Sequence, residues 1–270
     1  MTDNSPQHRL AAAIDRLGTP GFEPALAAWL RAAVPFDNIT MLAYPGHDRP
    51  RVLHLDAADA RVHARLGSAY LKGAYLLDPF HQLHADGAAD GLYRLGDVAP
   101  DHFSRGEYFL TYYQGTTLTD ELAFVARPAA QVTVTICLGR DASSGRRFSA
   151  RDIAQAEALA PVCLSLIRRH WAGLAAQDSG SAHANVVVSV ADSLRANVAA
   201  HLGIALTPRQ AQVAFLVLKG HSTASIALHL DLSPETVKVF RKQLYARLGI
   251  SSQAQLFSLL LPMLGSPSGH

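Results

Sequence analysis

Near the start of the chain apolar residues recur at helical spacing, in Leu10–Leu17 and again in Glu23–Ala33, with Pro20–Gly21 between them. Two helices are predicted there. The pattern then changes. Asn38–Tyr44 (NITMLAY) and Arg51–Leu55 (RVLHL) read as strands joined by the turn PGHDRP. Asp59–Tyr75 predicts a helix, and His102–Gln114 another, rich in aromatics. Glu121–Ala126 and Val132–Leu138 predict a hairpin around Arg127–Pro128–Ala129–Ala130. Ser149 then caps a long helix reaching Trp171, with a kink expected at Pro161. Few strands, with helices before and after them, predict an α+β domain: an antiparallel sheet flanked by helices.

The small, polar segment Ala176–Ala184 (AQDSGSAHA) divides the chain. It sets an expected organisation of an α-β-α domain over 1–175, a linker over 176–189 and a helical domain over 190–270. The helical domain is strongly punctuated. Thr207 is an N-cap and Pro208 the first helical residue; Gly220 ends that helix. Ser222 or Thr223 caps a short helix through Leu230, with Ile226, Ala227 and Leu230 on one face. After a turn at Asp231–Leu232, Ser233 caps a third helix, with Pro234 first and Glu235 complementing the positive N-terminal dipole. Gly249 closes it. Ser251 or Ser252 opens a fourth, Gln253–Leu264.

A short helix, a tight turn and a longer basic helix make the layout of a helix-turn-helix. At about 100° per residue, Val237, Phe240, Leu244 and Leu248 fall on one side of the third helix, facing a core. Lys238, Val239 and Lys242 fall on the other, with Arg241 and Tyr245 at the margin. Lysine or arginine there can meet phosphates or guanine edges, and Val239 a thymine methyl. A solvated charged face on an ordinary bundle is the alternative reading of the same pattern. Charge bears on the choice. Residues 201–270 hold six Lys/Arg against Asp231 and Glu235, a net +4, whereas residues 1–200 hold 18 against 20, a net −2. A basic tail on a slightly acidic body suits a nucleic-acid-binding module.

Residues 206–260 resemble the LuxR-type helix-turn-helix over their whole length. The likeness is carried by Leu206–Thr207–Pro208–Arg209, Gly220, Ser222, Ile226–Ala227, Leu230, Leu232–Ser233, Thr236–Val237–Lys238 and Leu248–Gly249–Ile250. The resemblance implies that Lys238, Val239 and Lys242 read the major groove, and that Thr223, Ser233 and Thr236 meet phosphate. It also implies a dimer contact on the fourth helix through Leu256, Leu259, Leu260 and Leu264; packing inside the domain is the other use of such leucines. Three departures stand out. Gln210 replaces the usual Glu, Thr223–Ala224–Ser225 the usual Asn-Lys-Glu, and Phe240 the usual His.

The order of elements in the N-terminal domain resembles a GAF- or PAS-like sensor. Phe103 with Glu107–Tyr108, Asp120–Glu121–Leu122–Ala123, and Arg147–Phe148–Ser149–Ala150–Arg151–Asp152 resemble the N-terminal domains of many LuxR-family regulators. Two strands, a helix and a late hairpin do not suit a phosphorylatable receiver. Asp78–Pro79 resembles the Asp-Pro of the acyl-homoserine-lactone-binding class, with a turn after a helix as its plain alternative. Counting back, however, that class's tyrosine position falls on Ala69 and its tryptophan position on Arg65. The expected effector is therefore something other than a typical lactone. Tyr70, Tyr75, Asp78, Tyr93, Phe103, Tyr108 and Tyr112 are its candidate contacts, or else core.

The remaining chemistry is sparse. Cys137 and Cys163 sit in apolar runs and read as buried thiols. His81 and His84 are spaced by one helical turn, and His47 and His54 border strands, but no HExxH or comparable ligand set occurs, so no metal or cofactor is expected. No GxSxG, Walker or GxGxxG motif supports an enzyme. No apolar leader and no apolar run of about 18 residues is present, so a cytoplasmic protein is expected. The expected partners are double-stranded DNA at a pseudo-palindromic operator, a second copy of the chain, a small-molecule effector and, for an activator, RNA polymerase. Control by a protein partner instead of an effector, and a tail used for protein contacts alone, are the competing readings.

Overall fold

The computed structural model describes residues 5–46, 48–174 and 186–264. His47 and most of the expected linker lie outside the described residues. The chain divides into two compact units: Met1–His63, Gly87–Val98 and Thr117–Gly180 in the first, and Ala64–Asp86, Ala99–Thr116 and Ser181–His270 in the second.

The first unit holds α1 (Pro6–Ile14), α2 (Phe22–Ala33), β1 (Asn38–Pro45) and β2 (Arg51–Ala57). In the second, α3 (Pro79–Ala85) follows; the first resumes with β3 (Gly91–Arg94), the single turn α4 (Leu95–Val98), β4 (Leu118–Ala129), β5 (Val132–Asp141) and α5 (Ala150–His170). The five strands form one antiparallel sheet in the order β2-β1-β5-β4-β3. Strand alternation sorts the side chains. Ile39, Met41 and Ala43 of β1, Val134, Ile136 and Leu138 of β5, and Leu122, Phe124 and Ala126 of β4 join one core with Phe22, Leu26 and Leu30 of α2 and Ala156, Cys163 and Ile167 of α5. The opposite face of central β5 carries Thr133, Thr135 and Cys137, all buried as well. Thr135 Oγ1 has no hydrogen-bond partner there.

A buried polar network ties the ends of β1 and β5 together. Asn38 Nδ2 donates to Asp141 Oδ2 at 2.8 Å, and the Asp141 N–H to Asp37 Oδ2 at 3.0 Å. Arg140 spans Asp37, at 3.4 Å, and Asp152, at 3.7 Å. Asp152 also completes the capping box of Ser149 at the start of α5, so the network links sheet to helix. Gly139, paired with Asn38 across the strands, leaves the room this requires: a Cβ there would collide with the Asn38 amide, only 2.7 Å from its Cγ.

Several expectations need correction. Asp59–Tyr75 is not one helix but short 3-10 turns, Ala60–His63, Tyr70–Lys72 and then Ala74–Leu77. Gly73, at φ +149°, is a conformation no helix contains. His102–Gln114 likewise resolves into 3-10 and π turns rather than an α-helix. Strand β3 and helix α3 were not legible in the pattern. Pro161 lies inside α5 without ending it.

In the second unit α6 (Val186–Leu202), α7 (Pro208–Lys219), α8 (Thr223–Leu230), α9 (Pro234–Leu248) and α10 (Gln253–Leu264) follow one another. The unexpected α6 starts inside the segment read as a linker. Its Leu194 and Val198 are buried, and Asn197 donates to the Met263 carbonyl at 2.7 Å, fastening α10 to it.

Gly139→Ala should push Asn38 off Asp141 and lower stability by about 2–4 kcal/mol, from overpacking plus a broken buried hydrogen bond. Urea unfolding of the two proteins measures this; an unchanged midpoint would show that β1 and β5 have room for a methyl group between them.

Candidate nucleic-acid interface

Helices α7, α8 and α9 each start on a side-chain cap and end on a left-handed residue. Thr207 Oγ1 accepts the Gln210 N–H at 3.2 Å, while Gln210 Oε1 accepts the Thr207 N–H at 3.1 Å. Ser222 Oγ accepts the Ser225 N–H at 3.1 Å, and Ser233 Oγ the Thr236 N–H at 3.1 Å. Asp231 turns the chain at φ +53°, which lets the Leu232 N–H reach the Ala227 carbonyl at 2.9 Å. Asp231–Ser233 thus forms the tight turn between α8 and α9.

Burial fixes which way α9 faces. Val237, Leu244 and Leu248 are buried, and the helix packs on α7 and α8. Phe240, expected in the core, is only half-buried. Lys238 and Lys242 are exposed, and Val239 between them is 53% exposed. Lys238 Nζ lies 3.6 Å from Glu235 Oε1, a solvent-facing pair that leaves the lysine free to move to another anion. Arg241 donates to Thr223 Oγ1 at 3.4 Å and lies over the Tyr245 ring at 5.9 Å, which joins the margin of α9 to the start of α8. Ser233 and Thr236, their hydroxyls 2.8 Å apart, stand at the N-terminal end of α9. Hydroxyls at a helix start, two mobile cations and one bare valine on a single helix end are the chemistry that takes phosphates and base edges.

Residues 204–260 match the sequence model of GerE, the bacterial regulatory proteins of the luxR family. A protein of Aeromonas salmonicida, named for an HTH-type transcriptional regulator in the exeN 3′ region, is 32% identical over 187 residues, covering 68% of this chain and 93% of that one. The chain belongs to the LuxR family of bacterial regulatory proteins. The crystal structure of the VqsR LBD domain of Pseudomonas aeruginosa superposes with a TM-score of 0.52 at 28% identity, over 61% of this chain and 94% of that one. That of Escherichia coli SdiA aligns with a TM-score of 0.42 at 14% identity, over 94% of this chain and 97% of that one. The chain is thus a LuxR-family transcription regulator, with an N-terminal sheet and helices built like a LuxR-type LBD.

Two of the residues that depart from the usual LuxR-type sequence, Gln210 and Ser225, have local explanations. Gln210 closes the same capping box a glutamate would, and accepts from Arg247 at 3.2 Å, while Arg247 also donates to the Ala205 carbonyl at 2.7 Å. Arg247 was not singled out in the sequence, where only its place in the last turn of a helix marked it. Ser225 replaces a charged contact with hydroxyl chemistry: its Oγ lies 2.9 Å from His221 Nδ1, and its carbonyl 2.9 Å from His229 Nδ1. On α10, Leu256, Leu260 and Leu264 are buried within the single chain, where α10 packs on α6 and α7. They are therefore not a free dimer face; Leu259 alone of the four stays half-buried.

The expected effector contacts split between the units. In the second unit Tyr70 and Tyr75 stand 6.3 Å apart, Tyr70 and Tyr112 5.9 Å, and Tyr112 stacks on Tyr108 at 5.4 Å, with Phe103 6.0 Å further on. Tyr70 donates its hydroxyl to Asp78 Oδ2 at 2.5 Å. Asp78 Oδ1 accepts the Phe80 N–H at 2.8 Å and caps α3, so both carboxylate oxygens are engaged. Burial pushes that carboxyl above its ordinary value, against the Tyr70 and backbone hydrogen bonds. Tyr93 belongs to the first unit, on β3, and donates to the Ala89 carbonyl at 2.7 Å.

Burial beside Lys219 and His229 drives the His221 imidazole down to about 4, with Asp101 opposing. In the unfolded chain it returns to its ordinary 6.5. Acidification therefore favours unfolding as pH falls through 6.5, and the loss is complete below about 4. His221→Gln should flatten the fall of Tm in this window, leaving the shares due to His63, His81 and His170, which burial also depresses. Melting curves of both proteins across the window test this; identical slopes would contradict it.

Proposed function

We propose that this chain is a homodimeric, sequence-specific regulator of transcription whose DNA-binding domain, residues 190–270, reads a pseudo-palindromic operator, and whose N-terminal domain, residues 1–175, responds to a small molecule. The carrying observation is the exposed Lys238–Val239–Lys242 face of α9, set opposite buried Val237 and Leu244. In this reading the α9 N-terminal half enters the major groove, Lys238 and Lys242 meet guanine edges or phosphates, and Val239 covers a thymine methyl. Thr223, Ser233, Thr236, Arg241 and Tyr245 anchor the flanking backbone. Two copies related by a two-fold axis read two half-sites, and an activator would also meet RNA polymerase.

An effector is supported by Thr135, whose buried hydroxyl lacks a partner on the face of β5 away from α2 and α5. Thr40, which shares that face, lies 2.9 Å from His63 Nε2. Buried polar groups of this kind are usually satisfied, and a ligand with one polar head is a natural partner. A typical acyl-homoserine lactone fits poorly. Arg65, at the tryptophan position, donates instead to the Thr111 carbonyl, and each Asp78 oxygen already accepts a hydrogen bond, from Tyr70 and from the Phe80 N–H. The effector acts by binding one arrangement of the protein better than another.

Lys238→Ala and Lys242→Ala should each weaken DNA binding by about 1–3 kcal/mol where the lysine reads a base, with the loss confined to preferred sequences. Where it meets phosphate alone, the loss should be uniform and the salt slope should fall by about one. Anisotropy titrations at two salt concentrations distinguish these. Unaltered affinity for every duplex in both folded variants would refute the assignment of α9.

A further inference from the structure

The N-terminal end of α8 already has an anion on it. Asp101 lies in the segment 99–116, which belongs to the same compact unit as the head. The Ser222 N–H, which opens α8, donates to Asp101 Oδ1 at 3.0 Å. The neighbouring His102 N–H donates to the Gly220 carbonyl at 3.1 Å, and the Lys219 ammonium donates to Gln82 Oε1. Residues 219, 220 and 222, around the turn from α7 into α8, are thereby fastened to chain from outside the head.

This approach is backbone against backbone. A Cβ on Gly220 would lie 3.2 Å from Phe103 Cα, and one on Gly106 would lie 3.4 Å from Gly220 Cα. Gly220, at φ +92°, is the glycine this approach requires; a Cβ on Gly106 would crowd the Phe103 carbonyl of its own segment, at 3.2 Å. Lys219, 4% exposed, is a cation that the contact takes out of water, and burial lowers it to about 8.

A helix start with an unpaired N–H is where a phosphate oxygen binds, because the donor and the partial positive charge coincide. A carboxylate fixed on that N–H removes the donor and repels an incoming phosphate. We propose that Asp101 is an internal stand-in for a DNA phosphate, and that the segment 101–106 is a latch that lowers the affinity of the head for DNA until it is displaced. This rests on the DNA-binding reading above and adds its regulation. The latch runs directly into the aromatic network: Phe103, between Asp101 and Gly106, stands 6.0 Å from Tyr108. Rearrangement of that network would therefore act on the latch segment itself.

The test uses the full chain and a fluorescein-labelled, mixed-sequence duplex, by anisotropy at two salt concentrations. Asp101→Asn keeps the shape and removes the charge; Gly106→Val crowds the latch from its own segment, with every residue of the head and every charge left as it is. Asp97→Asn, at an exposed carboxylate of the other unit, controls for the general effect of one fewer negative charge. Since apparent affinity scales with the unlatched fraction, Asp101→Asn and Gly106→Val should bind roughly five- to tenfold tighter than wild type. The Asp97→Asn control should change affinity by less than about twofold. Wild-type binding that is salt-sensitive and weakened by Lys238→Ala, but no tighter in either latch variant than in the control, overturns the latch alone. Absence of salt-sensitive binding in the wild type and every folded variant overturns the DNA-binding reading and the latch with it.

Discussion

The burial of one side of α9 is the constraint from which the rest of the head follows. Val237, Leu244 and Leu248 can leave water only by docking on α7 and α8, and that docking turns the opposite side outward. The residues on that side are cations, hydroxyls and a valine. Hydrophobic packing thus sets the direction in which this cationic face points. The caps serve the same end: Ser233 and Asp231 fix where α9 begins, and a shift of one residue would rotate Lys238 and Lys242 by about 100°.

The N-terminal sheet obeys a comparable division. One of its faces is closed by α2 and α5 with apolar residues alone, as a stable core requires. The other face of β5 interleaves threonines and a cysteine, which contribute less to stability than valines would and suit a polar visitor. The network of Asp37, Asn38, Arg140, Asp141 and Asp152 holds the sheet to α5 away from both faces. The two faces of the same strands therefore differ in chemistry, one built of apolar side chains and the other interleaved with polar ones.

The head was legible in the sequence because its signals are local. Thr207–Pro208, Ser222, Ser233–Pro234, Gly220 and Gly249 are caps whose chemistry acts within four residues, and each marks a helix boundary. The hairpin of β4 and β5 was legible through its apolar run. The segments 59–75 and 102–114 were not, because their apolar spacing is helical while Gly67, Gly73 and Gly106 interrupt them and the chain takes up short, locally hydrogen-bonded turns. Nor was the use of Leu256, Leu260 and Leu264, since apolar spacing does not say whether a neighbour belongs to the same chain. Asp101 carried no signal at all: its role depends on a contact more than a hundred residues away, with Ser222.

The most direct test of the central claim, that the outward face of α9 reads DNA, is sequencing of genomic fragments retained by the purified full-length protein, run for wild type, Asp101→Asn and Lys242→Ala. Enrichment of a small set of pseudo-palindromic sites, stronger for Asp101→Asn and lost or relaxed for Lys242→Ala, is the predicted result. Folded wild type and Asp101→Asn that both retain no sequence above background would contradict it.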